Sequence, residues 1–243
     1  CRAPKIVLTD NREINLKSAE FGCKTFASIS ESLKSEHITY QDFLFRDEII
    51  DQVLSKASEK LTSIRDHTPS AGGLVVAASV AHAEQIAGRL AMAGEHPVIV
   101  TYQTPEAQRI ISDFKTASDR WMISVGMISE GTDIPRLQVC CHLSRIRTEL
   151  HFRQVLGRIL RRQPEDPADT SAWLYVLAEP NLAEFARSIG EDLPGDRVVS
   201  FALDSETLGT QKSKAMKSYQ DDNFALTLDL GEQASVEDPD QVS

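Results

Sequence analysis

Apolar residues recur at helical spacing over residues 46–67, and charged side chains stand between them. The apolar positions are Ile49, Ile50, Val53, Leu54, Ala57, Leu61 and Ile64. Steps of three and four residues are typical of an amphipathic helix that packs one face on a core. The turn-forming composition of residues 69–73 then predicts a break. The weaker periodicity of residues 1–44 predicts either irregular structure or a lead-in from a preceding domain.

Apolar and amphipathic stretches alternate from residue 74 onward. Short apolar runs predict buried strands at 74–78, 97–101, 121–125, 139–143 and 172–176. The intervening stretches predict helices at 81–93, 150–160 and 181–189, and a further helix that Thr104 caps, with Pro105 at its first position. Strands separated by helices form right-handed crossovers, and therefore a parallel sheet.

The predicted organisation has three parts. Residues 1–71 form a lead-in that ends in the first helix. Residues 72–190 form an α/β domain, in which helices flank the parallel sheet. Residues 191–243 form an extension with a flexible acidic tail, because residues 220–243 contain seven acidic side chains and no lysine or arginine.

Charge is unevenly distributed along the chain. The formal net charge of −10 argues against a nucleic-acid partner. Residues 136–162, however, contain seven arginines and one acidic residue. The negative charge of the acidic tail therefore masks a basic segment in the net charge. Considered alone, however, this charge pattern is better explained by a solvent-exposed surface and a solvent-exposed tail than by a binding site.

The cysteines and histidines do not form a metal-binding pattern. No two of the four cysteines have C-x-x-C spacing, and no H-E-x-x-H sequence occurs. Cys140 and Cys141 are adjacent in an apolar run, so we expect small core residues on opposite faces of a strand. Reduced cysteines indicate a cytoplasmic protein. No apolar run approaches the roughly 20 residues that cross a membrane, so no membrane partner is expected.

The segment at 154–162, Gln-Val-Leu-Gly-Arg-Ile-Leu-Arg-Arg, carries the strongest chemical signal. On a helix, Gln154, Arg158 and Arg161 share one face. Two arginines one turn apart can hold a phosphate group with planar, permanently charged guanidinium groups. Gly157 weakens a helix by about 1 kcal/mol relative to alanine, which suggests that another group approaches the backbone here. A surface helix with exposed arginines explains this segment equally well when it is considered alone.

A second segment, at 127–135, directly follows a predicted strand and contains Ser-Glu-Gly-Thr-Asp-Ile-Pro at 129–135. In open α/β sheets, ligands bind beyond the carboxyl ends of strands. Gly131 permits a tight turn whose N–H groups can face phosphates, and Asp133 can accept a hydrogen bond from a ribose hydroxyl. Considered alone, the segment is better explained as a turn or a helix cap.

Together and in this order, the two segments resemble motifs V and VI of superfamily 2 helicases. The strand at 74–78, followed by Ser79 and a helix, stands in the place of motif IV. The helix at 46–66 is similar to the connection between the two lobes of such motors. The Ser-Glu-Gly and Asp-Ile-Pro forms resemble DEAD/DEAH-type helicases related to restriction-enzyme motor subunits. The resemblance covers residues 72–162 and implies a RecA-like C-terminal lobe.

The resemblance also implies a set of site residues. In this family, ATP lies between two RecA-like lobes and nucleic acid crosses both. Arg158 and Arg161 would reach the γ-phosphate as catalytic arginine fingers. The implied ATP-binding positions are Gly131, Asp133, Gln154 and Gly157, and the implied nucleic-acid-binding positions are Ser79, Thr101 and Ser129. We expect DNA rather than RNA as the nucleic acid.

The sequence lacks one part of such a motor. No G-x-x-x-x-G-K-S/T loop occurs to hold phosphates and Mg²⁺. We therefore expect ATP and Mg²⁺ to be bound mainly by an N-terminal RecA-like lobe, upstream or on a partner chain, and the isolated chain to be inactive. The missing loop favours one alternative, a non-catalytic RecA-like module that binds nucleic acid or a protein. The joint presence of Gln154, Gly157, Arg158 and Arg161 favours the ATP-hydrolysing motor. An unrelated α/β nucleotide-binding enzyme is a third possibility.

Overall fold

The computed structural model describes residues 1–10, 14–18, 22–34, 38–126, 133–163, 166–167, 170–192 and 198–202. The strands are β1 Ala3–Thr9, β2 Ile14–Ser18, β3 Gly22–Phe26, β4 Gly72–Ala77, β5 Val98–Thr101, β6 Trp121–Val125, β7 Leu137–Leu143, β8 Ser171–Leu177 and β9 Val199–Ala202. The helices are α1 Ile29–Ser32, α2 Tyr40–Leu44, α3 Asp47–Arg65, α4 Val80–Met92, α5 Ala107–Phe114, α6 Glu149–Ile159 and α7 Pro180–Asp192.

Seven strands form one sheet in the order β5-β6-β4-β7-β8-β1-β9. Among the described residues, each strand pairing in this sheet is parallel. β4, β6 and β7 are buried along their whole length, as strands covered on both faces must be. β2 and β3 form a separate antiparallel pair. This arrangement confirms the predicted α/β class and the parallel sheet.

The N-terminal segment differs from the irregular structure predicted for it. β1 lies between β8 and β9, parallel to both, and its Ile6 stands opposite Leu174 and Val199. The apolar run of β1 is only three residues long, Ile6 to Leu8, which is too short to predict a strand. β9 also lies outside the predicted domain, so the sheet extends beyond residues 72–190 at both ends.

α3 confirms the helix predicted from the apolar spacing at 46–67. Six of its apolar side chains are buried: Ile49, Ile50, Val53, Leu54, Ala57 and Leu61. Asp47 and Glu48 lie in its first turn, where carboxylates interact favourably with the helix dipole. The helix packs against β7 and β8 and so covers one face of the sheet.

α5 begins later than predicted. Glu106, with a φ of 54°, is the residue before the helix, so the cap predicted at Thr104 is wrong. Thr104 instead closes the turn after β5, because its Oγ1 accepts a hydrogen bond of 2.8 Å from the Thr101 N–H. Pro105 lies in the turn that follows, before the helix begins.

Cys140 and Cys141 are free, fully buried residues in the middle of β7. This confirms the prediction of two core side chains. Burial disfavours the thiolate and raises the pKa of both thiols, so both stay protonated at neutral pH.

The predicted acidic tail, residues 220–243, lies outside the described residues. Within the described part of the chain, no helix is both long and apolar enough to cross a membrane.

Candidate functional site

Four of the candidate residues lie at two opposite edges of the parallel sheet. Ser79 and Thr101 are at the carboxyl edge, where β4 and β5 end. Asp133 precedes β7, and Arg161 follows α6, which returns from the carboxyl edge of β7. The N–H of Arg2, just before β1, donates to the carbonyl of Leu160 over 2.7 Å, which places the end of α6 at the amino edge. Asp133 therefore lies at the amino edge of the sheet and not, as expected, beyond the carboxyl end of a strand.

The sequence of α6 accounts for its start and its orientation. Thr148 caps the helix by accepting a hydrogen bond from the His151 N–H, and Glu149 lies in the first turn. The buried side chains of α6 face the sheet: Phe152, Val155, Leu156 and Ile159. This packing leaves Gln154 and Gly157 exposed on the opposite face.

The arginines of this segment lie at the end of α6. Arg158 is half-buried in the last turn, but the helix ends at Ile159, so Arg161 is not on the helix face that the sequence predicts it to share. Arg161 Nη1 instead forms an ion pair of 2.7 Å with Asp133 Oδ1. Both partners are about half exposed, 44% for Arg161 and 54% for Asp133. The structure thus joins the two segments that resemble motifs V and VI.

The surroundings of Gly157 are open. A Cβ atom built at this position meets nothing within 4 Å in the part of the chain that the structure describes. Neither packing nor an unusual backbone angle therefore requires a glycine here. Two other predicted positions, Ser129 and Gly131, lie outside the described residues.

Ser79 has a structural role at the carboxyl edge. It is the N-cap of α4, and its Oγ accepts a hydrogen bond of 3.2 Å from the His82 N–H. The His82 ring in turn accepts from the Ala78 N–H at Nδ1 over 3.1 Å. Burial of the ring lowers the pKa of His82 to about 4, so it is neutral at physiological pH. A nucleic-acid contact by Ser79 stays a prediction.

Thr101 is buried at the end of β5. Its hydroxyl accepts a hydrogen bond of 3.1 Å from the Gln103 N–H and lies 3.2 Å from Thr104 Oγ1. The next residue, Tyr102, is 66% exposed and lies beside Gly126 at the end of β6. Tyr102 is therefore more accessible at this edge than Thr101, whose contact with nucleic acid also stays a prediction.

Sequence reasoning missed a buried pair at the amino edge. The side chains of Arg2 and Asp166 are 0% and 1% exposed, and their ion pair measures 2.7 Å. Arg2 lies in the segment predicted to be irregular, and Asp166 is one of three acidic residues in a polar turn. A pairing over this sequence distance leaves no local pattern, so no signal in the sequence identifies it.

A second missed pair lies at the carboxyl edge. Arg147, in the loop after β7, donates to the buried Glu179 carboxylate over 2.8 Å, and its guanidinium lies 5.0 Å from the centre of the Tyr40 ring. Glu179 also accepts from the N–H of Leu182 and so caps α7. Burial raises the pKa of Tyr40 and keeps its hydroxyl protonated. Arg147 belongs to the arginine-rich segment, which indicated charge but not this contact.

No group of three or more His, Cys, Asp or Glu side chains among the described residues is placed to hold a metal ion.

No family model matches the chain. The protein ML1624 of Mycobacterium leprae is 36% identical to it over 138 residues, which are 56% of this chain and 23% of that protein. The protein Rv2917 of Mycobacterium tuberculosis is 33% identical over 138 residues, 56% of this chain and 22% of that protein. Both are named uncharacterized proteins. The chain spans less than a quarter of the length of these curated relatives.

Solved structures of helicases share the fold at low sequence identity. The Mss116p DEAD-box helicase domain 2 bound to an RNA duplex has a TM-score of 0.50 and 9% identity, over 94% of this chain and 75% of that chain. S. cerevisiae Dbp5 bound to RNA and ADP BeF3 has a TM-score of 0.50 and 14% identity, over 91% and 46%. A fragment of a type I restriction enzyme HsdR subunit from Vibrio vulnificus YJ016 has a TM-score of 0.51 and 15% identity, over 68% and 34%. The chain therefore has an α/β RecA-like fold, which these solved structures share.

Proposed function

We propose that the chain is the C-terminal motor lobe of a superfamily 2 ATP-dependent helicase or translocase of the type related to restriction-enzyme motor subunits. The observation that carries this proposal is the ion pair between Arg161 and Asp133 beside Arg158 at the end of α6. It brings together, on an exposed surface of the RecA-like fold, the two segments that resemble motifs V and VI.

The arginines suit a nucleotide phosphate. Arg161 is half exposed, and an exposed ion pair contributes only about 0–1 kcal/mol. The guanidinium of Arg161 can therefore leave Asp133 for a phosphate at little cost, and Asp133 is then released to accept a ribose hydroxyl. When bound between two lobes, ATP supplies the phosphoanhydride that is hydrolysed, and guanidinium groups stabilise the charge on its γ-phosphate.

The residues that bind most of the ATP and Mg²⁺ would come from a first lobe. The chain lacks the phosphate-binding loop, so we propose that ATP and Mg²⁺ are bound mainly by an N-terminal RecA-like lobe. The curated relatives are more than four times as long as the region they share with this chain, which is compatible with such a lobe in the same protein.

We further propose that Ser79 and Thr101, at the carboxyl edge, together with Ser129, contact the backbone of DNA. DNA is favoured over RNA by the resemblance to restriction-enzyme motor subunits. Phosphate contacts make binding sensitive to salt and only weakly dependent on sequence. Matched DNA and RNA single strands, titrated at fixed salt, distinguish the two nucleic acids.

The central experiment compares Arg158→Ala, Arg161→Ala and Arg153→Ala in the complete gene product, by nucleic-acid-stimulated ATP hydrolysis. Arg153 is the matched control, because it is an exposed arginine of the same helix that pairs with Glu149 and Asp192 instead. We expect hydrolysis to fall by about 10³-fold or more in the first two variants, and to persist in the third. Nucleic-acid binding should change little in all three.

Two results would contradict the proposal that the chain is a motor lobe. If the complete gene product does not hydrolyse ATP, or if all three variants hydrolyse it at the normal rate, the arginines are not catalytic. If either occurs and nucleic acid or a protein still binds, the non-catalytic module becomes the better interpretation of the fold.

A further inference from the structure

Arg2 is buried between four acceptors that belong to separate parts of the sequence. Its Nε donates to Asp166 Oδ2 over 2.9 Å. Nη1 donates to the carbonyls of Leu137 and Ile159, over 2.6 and 3.2 Å, and Nη2 donates to the carbonyl of Pro135 over 2.8 Å. One planar side chain therefore joins the entry of β7, the end of α6 and the turn at Asp166.

These acceptors lie on the two segments that carry the candidate ATP-contacting residues. Pro135 is two residues after Asp133, and Ile159 stands between Arg158 and Arg161. Asp166 strengthens the same junction, because its Oδ2 also accepts from the Gln163 N–H over 2.9 Å. Arg161 itself lies beyond the helix, so α6 hydrogen bonds alone do not determine where it points.

We propose that Arg2, held by Asp166, is a positioning residue that sets the distance between the segment carrying Asp133 and the end of α6 carrying Arg158 and Arg161. This inference rests on the proposed function, since it assigns Arg2 an effect on the arginine fingers. Arg2 does not contact the nucleotide in this mechanism. It acts by keeping two backbone segments in register, so that both guanidinium groups meet one phosphate.

The guanidinium group is essential to this role. Its planar fork directs donors to four acceptors at once, whereas a lysine ammonium is a single point with three donors. Arg2→Lys therefore keeps the buried charge opposite Asp166 but cannot join all the segments. The change tests positioning without leaving an unpaired carboxylate in the core.

Arg136→Lys is the matched control. Arg136 is as buried as Arg2 and also donates to three carbonyls, those of Ser70, Phe114 and Asp119. None of these acceptors lies on α6. If Arg2 merely stabilised the fold, the two lysine variants would have similar effects on activity at equal loss of stability.

The first measurement is steady-state ATP hydrolysis by the complete gene product at saturating nucleic acid. A displacement of about 1 Å at the reacting groups can slow a reaction about a hundredfold. We expect Arg2→Lys to lower kcat by about ten- to a hundredfold with little change in KM for ATP, and Arg136→Lys to change kcat by less than about threefold. Equal effects of the two variants would overturn the proposal.

A double-mutant cycle links Arg2 to the arginine finger. If Arg2 acts through Arg161, then Arg2→Lys should slow hydrolysis far less in an Arg161→Ala background than in the unaltered protein. Independent, multiplicative effects would contradict a positioning role. If Arg161→Ala itself has no effect on hydrolysis, the proposed function fails, whatever Arg2 does.

Amide hydrogen exchange on the 243-residue chain provides a readout without ATPase activity. We expect Arg2→Lys to increase exchange together at Leu137 and Gln163, whose N–H groups donate to the Ile134 carbonyl and to Asp166 Oδ2, while the amides of β4 stay protected. Exchange that rises uniformly over the sheet, or at only one of the two segments, would show that Arg2 does not couple them. This outcome is independent of whether the arginines are catalytic.

Discussion

Replacing Gly157 by alanine should change the stability of the chain and the rate of ATP hydrolysis in opposite directions. The position lies in α6, where a new Cβ meets nothing within 4 Å among the described residues. Alanine is a better helix former than glycine by about 1 kcal/mol, and the nearby helix end reduces this gain. We therefore expect the free energy of unfolding to rise by about 0.5–1 kcal/mol.

ATP hydrolysis should respond in the opposite direction. If a nucleotide or the facing lobe approaches the backbone at Gly157, a methyl group there holds it off by about 1 Å, enough to lower the rate by about ten- to a hundredfold. Urea denaturation of the 243-residue chain measures the stability, and nucleic-acid-stimulated hydrolysis by the complete gene product measures the function.

Gly88→Ala in α4 is the control, because its added Cβ also meets no described residue within 4 Å. It should stabilise the chain by a similar amount and leave hydrolysis unchanged. A loss of stability in Gly157→Ala would mean that this face is packed rather than open. Unchanged hydrolysis in both variants would refute a close approach at Gly157.

Two further predictions concern the free energy of unfolding, the first at a close contact in the sheet and the second at two buried histidines. Gly73→Ala should lower the free energy of unfolding by about 1–3 kcal/mol or more, since its Cβ would lie 2.3 Å from the fully buried Trp121 ring; urea denaturation that matched the unaltered chain would contradict this. His82 and His142 are buried, and burial lowers their pKa values from 6.5 to about 4 and about 3, so the unfolded chain binds protons first as the pH falls. Each buried histidine should therefore lower the free energy of unfolding by about 1.4 kcal/mol per pH unit below about pH 6.5. Denaturation at pH 7, 6 and 5 should show that His82→Asn removes one of these two contributions. If the stability of His82→Asn depends on pH as strongly as that of the unaltered chain, His82 does not make this contribution.

Most elements after residue 46 could be predicted because their signals are local. The apolar spacing of α3 and the short runs of β4 to β8 reflect which face each segment buries, and alternation of the two predicts parallel crossovers. The candidate site residues were grouped for a similar reason. Motif-like segments keep their residue order, so Arg158, Arg161 and Asp133 could be grouped by resemblance alone.

The tertiary structure decided what depends on residues far apart in the sequence. β1 enters the sheet between β8 and β9 through pairings that span more than 160 positions on either side, which no local pattern encodes. Thr104 closes a turn instead of capping α5 because its Oγ1 accepts a hydrogen bond from the N–H of Thr101, the last residue of β5.

The geometry of the site has the same origin. α6 ends before Arg161, and the ion pair with Asp133 then directs that side chain. The buried guanidinium of Arg2 brings the two segments together at the amino edge of the sheet. A buried charge is stable only when its partners surround it, and those partners are assembled by the fold rather than by neighbours in the sequence.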